Sequence, residues 1–205
     1  MKDNKNSKEE RRQFIFQTIP ACALSCMVGK NIFGMNLDDT AEEKHMFDRD
    51  IQMKLTWRRL IEGQNFQFIQ LAKAAQHMCG KDKVLELIKK QSTEFNLERG
   101  RKQAQESSDQ SLKSYTRMFA NPKDWEGLLK MEIVEDSEKA FEMKISECLQ
   151  AVNYRENDAD EIGYANVCWG DYAWAEGFNP KIQLVRDKTL MQGYSCCNHR
   201  YIWTG

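Results

Sequence analysis

The chain has 205 residues, 41% of them hydrophobic and 30% charged, with a formal net charge of −1. That length suits one domain with a substantial buried core and room for a leader. The near balance of charge offers no basic excess for nucleic acid and no acidic tail for a basic partner.

Residues 1–12, MKDNKNSKEERR, are polar and charged, residues 13–29 carry no charge, and Lys30 with the run LDDTAEEK restores polarity. This is the tripartite layout of an export signal. It divides the chain into a leader over 1–34 and a single α+β domain over 35–205. Arg11-Arg12 followed by Gln13-Phe14-Ile15 resembles a twin-arginine signal, a receptor-read address whose partner is the export machinery. The implied location is exported, either periplasmic or at the outer cell surface. The uncharged stretch is shorter than the roughly 20 residues that span a bilayer. Ala23-Leu24-Ser25-Cys26 is a loose match to a lipoprotein cleavage box, with Ala where Leu is usual, which makes Cys26 a lipidation candidate. The alternative is an amphipathic N-terminal helix on a cytoplasmic protein.

From Thr40 to about Arg101 apolar residues recur at helical spacing: Met46, Ile51, Leu55, Leu60 and Ile61, then Phe66, Ile69, Leu71 and Ala74. Gly80 fits a helix stop, and a second helix follows over Lys81 to Phe95. The polar stretch Glu98 to Ser114 reads as a solvated helix end or a loop. Phe119-Ala-Asn-Pro122 breaks the chain.

The period then changes to two. Met131 and Ile133 alternate with Lys130 and Glu132, and beyond the turn-like Glu135 to Glu138, Phe141, Met143 and Ile145 alternate with Glu142, Lys144 and Ser146. This predicts an antiparallel hairpin with one wet face. A helix is expected to start near Cys148. The segment Cys168 to Trp203 reads mainly as β-structure, with strands at Ile182 to Val185 and Arg200 to Trp203. Helices first and strands later predict an α+β fold, an N-terminal helical layer packed on a C-terminal antiparallel β-sheet.

Zinc signatures such as CxxC or HExxH are absent. Without the leader, Cys79, Cys148, Cys168, Cys196 and Cys197 remain, an odd number that cannot close a complete disulfide framework. Cys148, Cys168, Cys197 and His199 are the metal candidates, and three sulfurs with an imidazole suit zinc. On a strand, Cys197 and His199 share a face. Cys168 and Asp171 fall one turn apart if their segment is helical. Free cysteines are also common core residues. Asp171 and Glu176 stand among Trp169, Tyr172, Trp174 and Phe178, a setting that raises a carboxyl pKa and suits acid–base work; Glu176 could equally pair with Arg200. Arg200 offers a planar fork for a carboxylate. Asn179-Pro180 signals a turn, and Gly193 permits a chain reversal. His45 and His77 have no motif around them.

The blocks AEGFNP (Ala175 to Pro180), TLMQG (Thr189 to Gly193) and Cys197-x-x-Arg200-Tyr201, preceded by Cys148-Leu-Gln-Ala, resemble the L-2-amino-thiazoline-4-carboxylic acid hydrolase family over Cys148 to Trp203. Leu149 stands where the family pattern has Pro, and Val152 and Asn153 stand where a carboxylate is expected. The resemblance implies hydrolytic opening of a cyclic C–N bond in a 2-amino-thiazoline-4-carboxylate-type substrate to a carbamoyl-cysteine. For that chemistry the residues offer Cys168 or an activated water as nucleophile. Asp171 or Glu176 would serve as acid/base and His199 as proton shuttle, with Cys197 beside it. Arg200, Asn179 and Trp174 would contact the substrate. The rival reading is a non-enzymatic, sensor-like module that binds a small ligand or a metal.

Overall fold

The computed structural model describes residues 56–205. The leader over 1–34, with Arg11, Arg12 and Cys26, lies outside the described residues, as does His45. Helix α1 (Trp57–Cys79) begins where the Thr56 hydroxyl accepts the Arg59 N–H at 3.3 Å. It ends at Gly80, whose φ of +89° is a conformation that a side chain would strain. Helix α2 (Lys81–Glu106) runs straight through the polar stretch that the sequence leaves as helix end or loop. Its own composition does not explain this length. Gly100 and Ala104, both buried, supply the tertiary contact that holds the second half.

A short helix α3 (Leu112–Thr116) is capped by the Ser111 hydroxyl, which accepts the Ser114 N–H at 3.1 Å. Strands β1 (Leu129–Asp136) and β2 (Ala140–Cys148) form the expected hairpin. Ser137 closes its turn: the backbone N–H donates to the Ala140 carbonyl at 2.8 Å, and the hydroxyl accepts the Ala140 N–H at 3.0 Å. Helix α4 (Leu149–Glu156) follows Cys148, as expected. Helix α5 (Asp160–Gly163), a π-helical turn at Tyr164–Cys168 and helix α6 (Gly170–Phe178) come next, then β3 (Ile182–Val185) and β4 (Cys197–Trp203). The first third of Cys168 to Trp203 is therefore helical, which corrects its reading as mainly β-structure. Gly170 and Ala173, and Ala175 and Phe178, recur three residues apart in α6 and are buried, a period the surrounding aromatics obscure.

The sheet is antiparallel throughout, in the order β1-β2-β4-β3. One face is buried: Phe141, Met143 and Ile145 lie opposite Tyr201, His199 and Cys197, and Leu184 lies opposite Tyr201 on the other side. The other face is polar, with Glu132, Lys144 and Arg200. The architecture is the α+β fold that the sequence predicts. The helical layer, however, includes α6 as well as the N-terminal pair.

Helices α2 and α6 meet almost backbone to backbone. A Cβ placed on Gly100 would stand 2.6 Å from the Phe178 nitrogen and 2.8 Å from the Gly177 carbonyl carbon. One on Gly177 would stand 2.9 Å from the Leu97 carbonyl carbon. This contact anchors the helix that carries Asp171. Gly100→Ala gains about 1 kcal/mol of helix propensity. It must also separate two backbones, an overpacking cost of about 1–3 kcal/mol. The variant is expected to unfold at lower urea concentration than the parent, with an unchanged denaturant slope; a midpoint at or above the parent's would show that the helices can part cheaply.

Candidate functional site

The buried face of the sheet carries an ionic cluster centred on Arg186. The side-chain alternation of β3 continues past its end: Ile182 and Leu184 point inward, and so does Arg186, whose side chain is only 1% exposed. Tyr172 and Asn198 fix its backbone. The Tyr172 hydroxyl donates to the Arg186 carbonyl at 3.3 Å. The Asn198 side-chain carbonyl accepts the N–H groups of Asp187 and Lys188 at 3.3 and 2.9 Å, tying the following loop to β4.

The guanidinium donates in three directions. One terminal nitrogen reaches Asp171 Oδ2 at 2.6 Å and His199 Nε2 at 3.0 Å. The other reaches the Cys168 carbonyl at 2.7 Å. Arginine has no acceptor, so His199 Nε2 must accept and the proton sits on Nδ1. The Cys168 carbonyl ends the π-helical turn, in which the Trp169 N–H reaches back five residues to Tyr164 at 2.8 Å. A second carbonyl of this turn, that of Asn166, accepts the Ser92 hydroxyl at 3.0 Å. Such turns break the regular hydrogen-bond ladder and concentrate at functional sites.

The burial of these groups sets their protonation. Burial, reinforced by the adjacent Arg186 charge, lowers the His199 pKa to about 3, so the ring is neutral near neutral pH. Burial pushes Asp171 up, against the pull of Arg186. Its side chain keeps 26% of its surface exposed, which places the carboxylate at the rim of the cluster. For Arg186, burial opposes the charge, but Asp171 more than offsets it and the pKa is raised. Burial raises the thiols of Cys148 and Cys168, and it raises Cys197 to about 11. The Asp171 charge adds to all three shifts, and the thiols stay protonated near neutral pH.

The sequence candidates therefore divide. Cys168, Asp171, Cys197 and His199 come together, with Cys148 at the boundary of both apolar clusters. Arg200 does not join them: strand alternation puts it on the opposite face from Cys197 and His199, where it pairs with Glu142 at 2.8 Å and with Glu135. Glu176 is exposed on α6 and does not pair with Arg200. Trp174 turns toward α2, donating to Gln103 at 2.7 Å and lying 3.7 Å from the Arg99 guanidinium. Asn179 is a turn residue: its side chain accepts the Lys181 N–H at 3.0 Å and donates to the Gln110 carbonyl at 2.9 Å. Among the described residues no group of three or more His, Cys, Asp or Glu is arranged to hold a metal ion. The Arg186 cation lies against His199, and the Cys197 sulfur already accepts the Leu190 N–H at 3.2 Å. Arg186 itself escapes the sequence reading, although continuing the alternation of Ile182 and Leu184 by one step points to it.

Among the described residues, Arg186 Nε and His199 Nδ1 are buried and make no hydrogen bond. Each unpaired buried group costs about 1–3 kcal/mol, a large sum against the few kcal/mol by which folds are stable.

An interior ionic cluster between a helical layer and an antiparallel sheet defines an α+β domain with a polar site inside an apolar core. The family model described as L-2-amino-thiazoline-4-carboxylic acid hydrolase matches residues 58–201, from the first turn of α1 to β4, and the chain belongs to that family. No curated protein matches. Matching solved structures include the phenol-responsive sensory domain of the transcription activator PoxR with phenol, at 14% identity and a TM-score of 0.42, over 76% of this chain and 78% of that one. No helix among the described residues is long and apolar enough to cross a membrane.

The His199 shift has a stability consequence. Its folded pKa of about 3 lies below the ordinary histidine value of 6.5, so the fold disfavours the proton. The stabilisation is fully present above pH 6.5 and is lost as pH falls toward 3, by up to about 1.4 kcal/mol per pH unit. The raised Asp171 works in the opposite sense, because its contribution is lost as pH rises. Urea unfolding between pH 7 and pH 4.5 is expected to show the loss on acidification, and His199→Gln, which keeps an acceptor for Arg186 but cannot titrate, is expected to flatten it. Equal slopes in parent and variant would refute the buried neutral imidazole.

Proposed function

We propose that the chain hydrolyses a cyclic, amidine-like carboxylate of the 2-amino-thiazoline-4-carboxylate type, and that the Arg186–Asp171–His199 cluster performs the reaction. The observation that carries this reading is a buried cation with a spare donor beside a rim carboxylate whose pKa burial raises. Family membership supplies the substrate type. Asp171 takes a proton from water as the oxygen adds to ring C2, and the carboxyl returns it when the C2–N3 bond breaks. Both protons of the water end on the ring nitrogen, which leaves as an amine, while the carbamoyl group stays on sulfur. Arg186 balances the substrate carboxylate, and the His199 Nδ1–H supplies a neutral donor. Water is the nucleophile in this scheme because the thiols are held protonated.

Turnover of 2-amino-thiazoline-4-carboxylate is the test. Asp171→Asn is expected to lower kcat by about 10² to 10⁴. Arg186→Lys, which loses the planar fork, should act mainly through KM. Cys168→Ser and the exposed Glu176→Gln should retain most of the rate. A parent protein that binds the compound without converting it would replace the hydrolase by a ligand-binding module. An abolished rate in Cys168→Ser would transfer the nucleophile role to the thiol.

We further propose that residues 1–34 act as an export address read through Arg11 and Arg12, with Cys26 as a lipid attachment point. Replacing both arginines by lysine is expected to retain the protein in the cytoplasm, as measured by fractionation. An unchanged distribution would refute the address.

A further inference from the structure

Tyr172, the residue after Asp171 in α6, touches Arg186 at both ends. The guanidinium carbon lies over its ring, 5.0 Å from the centroid. Its hydroxyl donates to the Arg186 carbonyl at 3.3 Å. Arg186 lies one residue past the last β3–β4 pair, Val185 with Arg200, so side-chain bonds take over where the ladder stops. Asp171, His199 and the Cys168 carbonyl meet the nitrogens of the guanidinium, and the Tyr172 ring covers a face that no acceptor can hold. A cation within about 6 Å of an aromatic face is attracted to it.

Tyr172 is itself held from α2. The Trp169 ring stands 6.1 Å from it, centroid to centroid. The indole N–H donates to the Thr93 hydroxyl at 3.1 Å, and the Lys89 ammonium lies 4.6 Å from the indole centroid. A chain of contacts thus runs from α2 through two rings to the buried cation. A guanidinium recognises a carboxylate through a planar fork, and aiming that fork before the ligand arrives lowers the cost of binding. Resting on the reading that Arg186 binds the substrate carboxylate, we propose that Tyr172 is a positioning residue for it. The ring backs the fork, so that the cation does not tilt out of the plane it shares with Asp171 and His199.

The test compares Tyr172→Leu and Tyr172→Phe with the parent in the full chain. Turnover of 2-amino-thiazoline-4-carboxylate gives KM and kcat, and nitrogen NMR of the histidine rings, without substrate, reports whether His199 keeps its proton on Nδ1 while Nε2 accepts from Arg186. Tyr172→Leu is expected to raise KM about tenfold, to keep most of kcat, and to lose the single Nδ1–H state of His199. Tyr172→Phe, which retains the ring, should stay near the parent in both readings. A leucine variant with the parent's KM and His199 signals would overturn the proposal, whatever its unfolding midpoint, and so would a phenylalanine variant as impaired as the leucine one. If Tyr172→Leu does not fold, Trp169→Leu removes the support and leaves Tyr172 in place: the same two shifts are expected, and their absence in the folded variant would overturn the proposal. A parent that converts no substrate would refute the hydrolase reading, while the His199 signals, which need no turnover, would still decide whether Tyr172 positions Arg186.

Discussion

A guanidinium can be taken out of water only if acceptors meet it, and those meeting Arg186 come from two stretches of the chain, one on either side of it. Asp171 belongs to a helix, the Cys168 carbonyl to a π-helical turn, and His199 to a sheet strand. They lie 13 to 18 residues away in sequence, before and after Arg186, so the cation is satisfied only when α6 and β4 are both in place around β3. Removing one partner of such a buried pair typically costs more than the pair contributes, because the other charge is then stranded. The cluster therefore makes the relative position of helix and sheet nearly all-or-none, and that rigidity is what a reaction site requires.

The glycine contact between α2 and α6 serves the same end by another route. The site needs α6 at one depth over the sheet, and two helices that meet through glycine backbones have little freedom to slide or separate. Gly170 extends the contact, since a Cβ there would press on Asn96 and Ser92. Asn96 and Ser92 in turn hold the polar lining of α2, with the Asn96 amide donating to the Ser92 carbonyl at 2.8 Å. The α2 half that looks solvated in sequence is thus the support on which α6 rests.

Much of this was legible in the chain itself. The alternation of residues 130–146 dictates a hairpin with one wet face, and Gly80 marks a helix end. Three family blocks locate the C-terminal half of the site. The errors are equally physical. The parity that puts Cys197 and His199 on one face already excludes Arg200 from that face, and the same parity carried beyond Leu184 selects Arg186. Glu176 lies two residues from Trp174, on the other side of a helix, so nearness in sequence to the aromatics says little about contact. The π-helical turn has no local signature, because it arises from how Ser92 and Arg186 take up its carbonyls.

The π-helical turn at Tyr164–Cys168 also limits how the gene can change in length. Such a turn fits one more residue into the helix than regular winding would. Deleting any single codon there would restore an ordinary helix with no loss of hydrogen bonding along its axis. Because the widened turn absorbs the extra residue, the helix beyond would keep its direction, with Asp171 still toward Arg186 and the glycines toward α2. What would be lost is the turn that leaves the Cys168 and Asn166 carbonyls open to the Arg186 guanidinium and the Ser92 hydroxyl. A deletion that improves the local geometry would thus take an acceptor from the buried cation, and the segment is expected to tolerate substitution far better than a change of one residue in length.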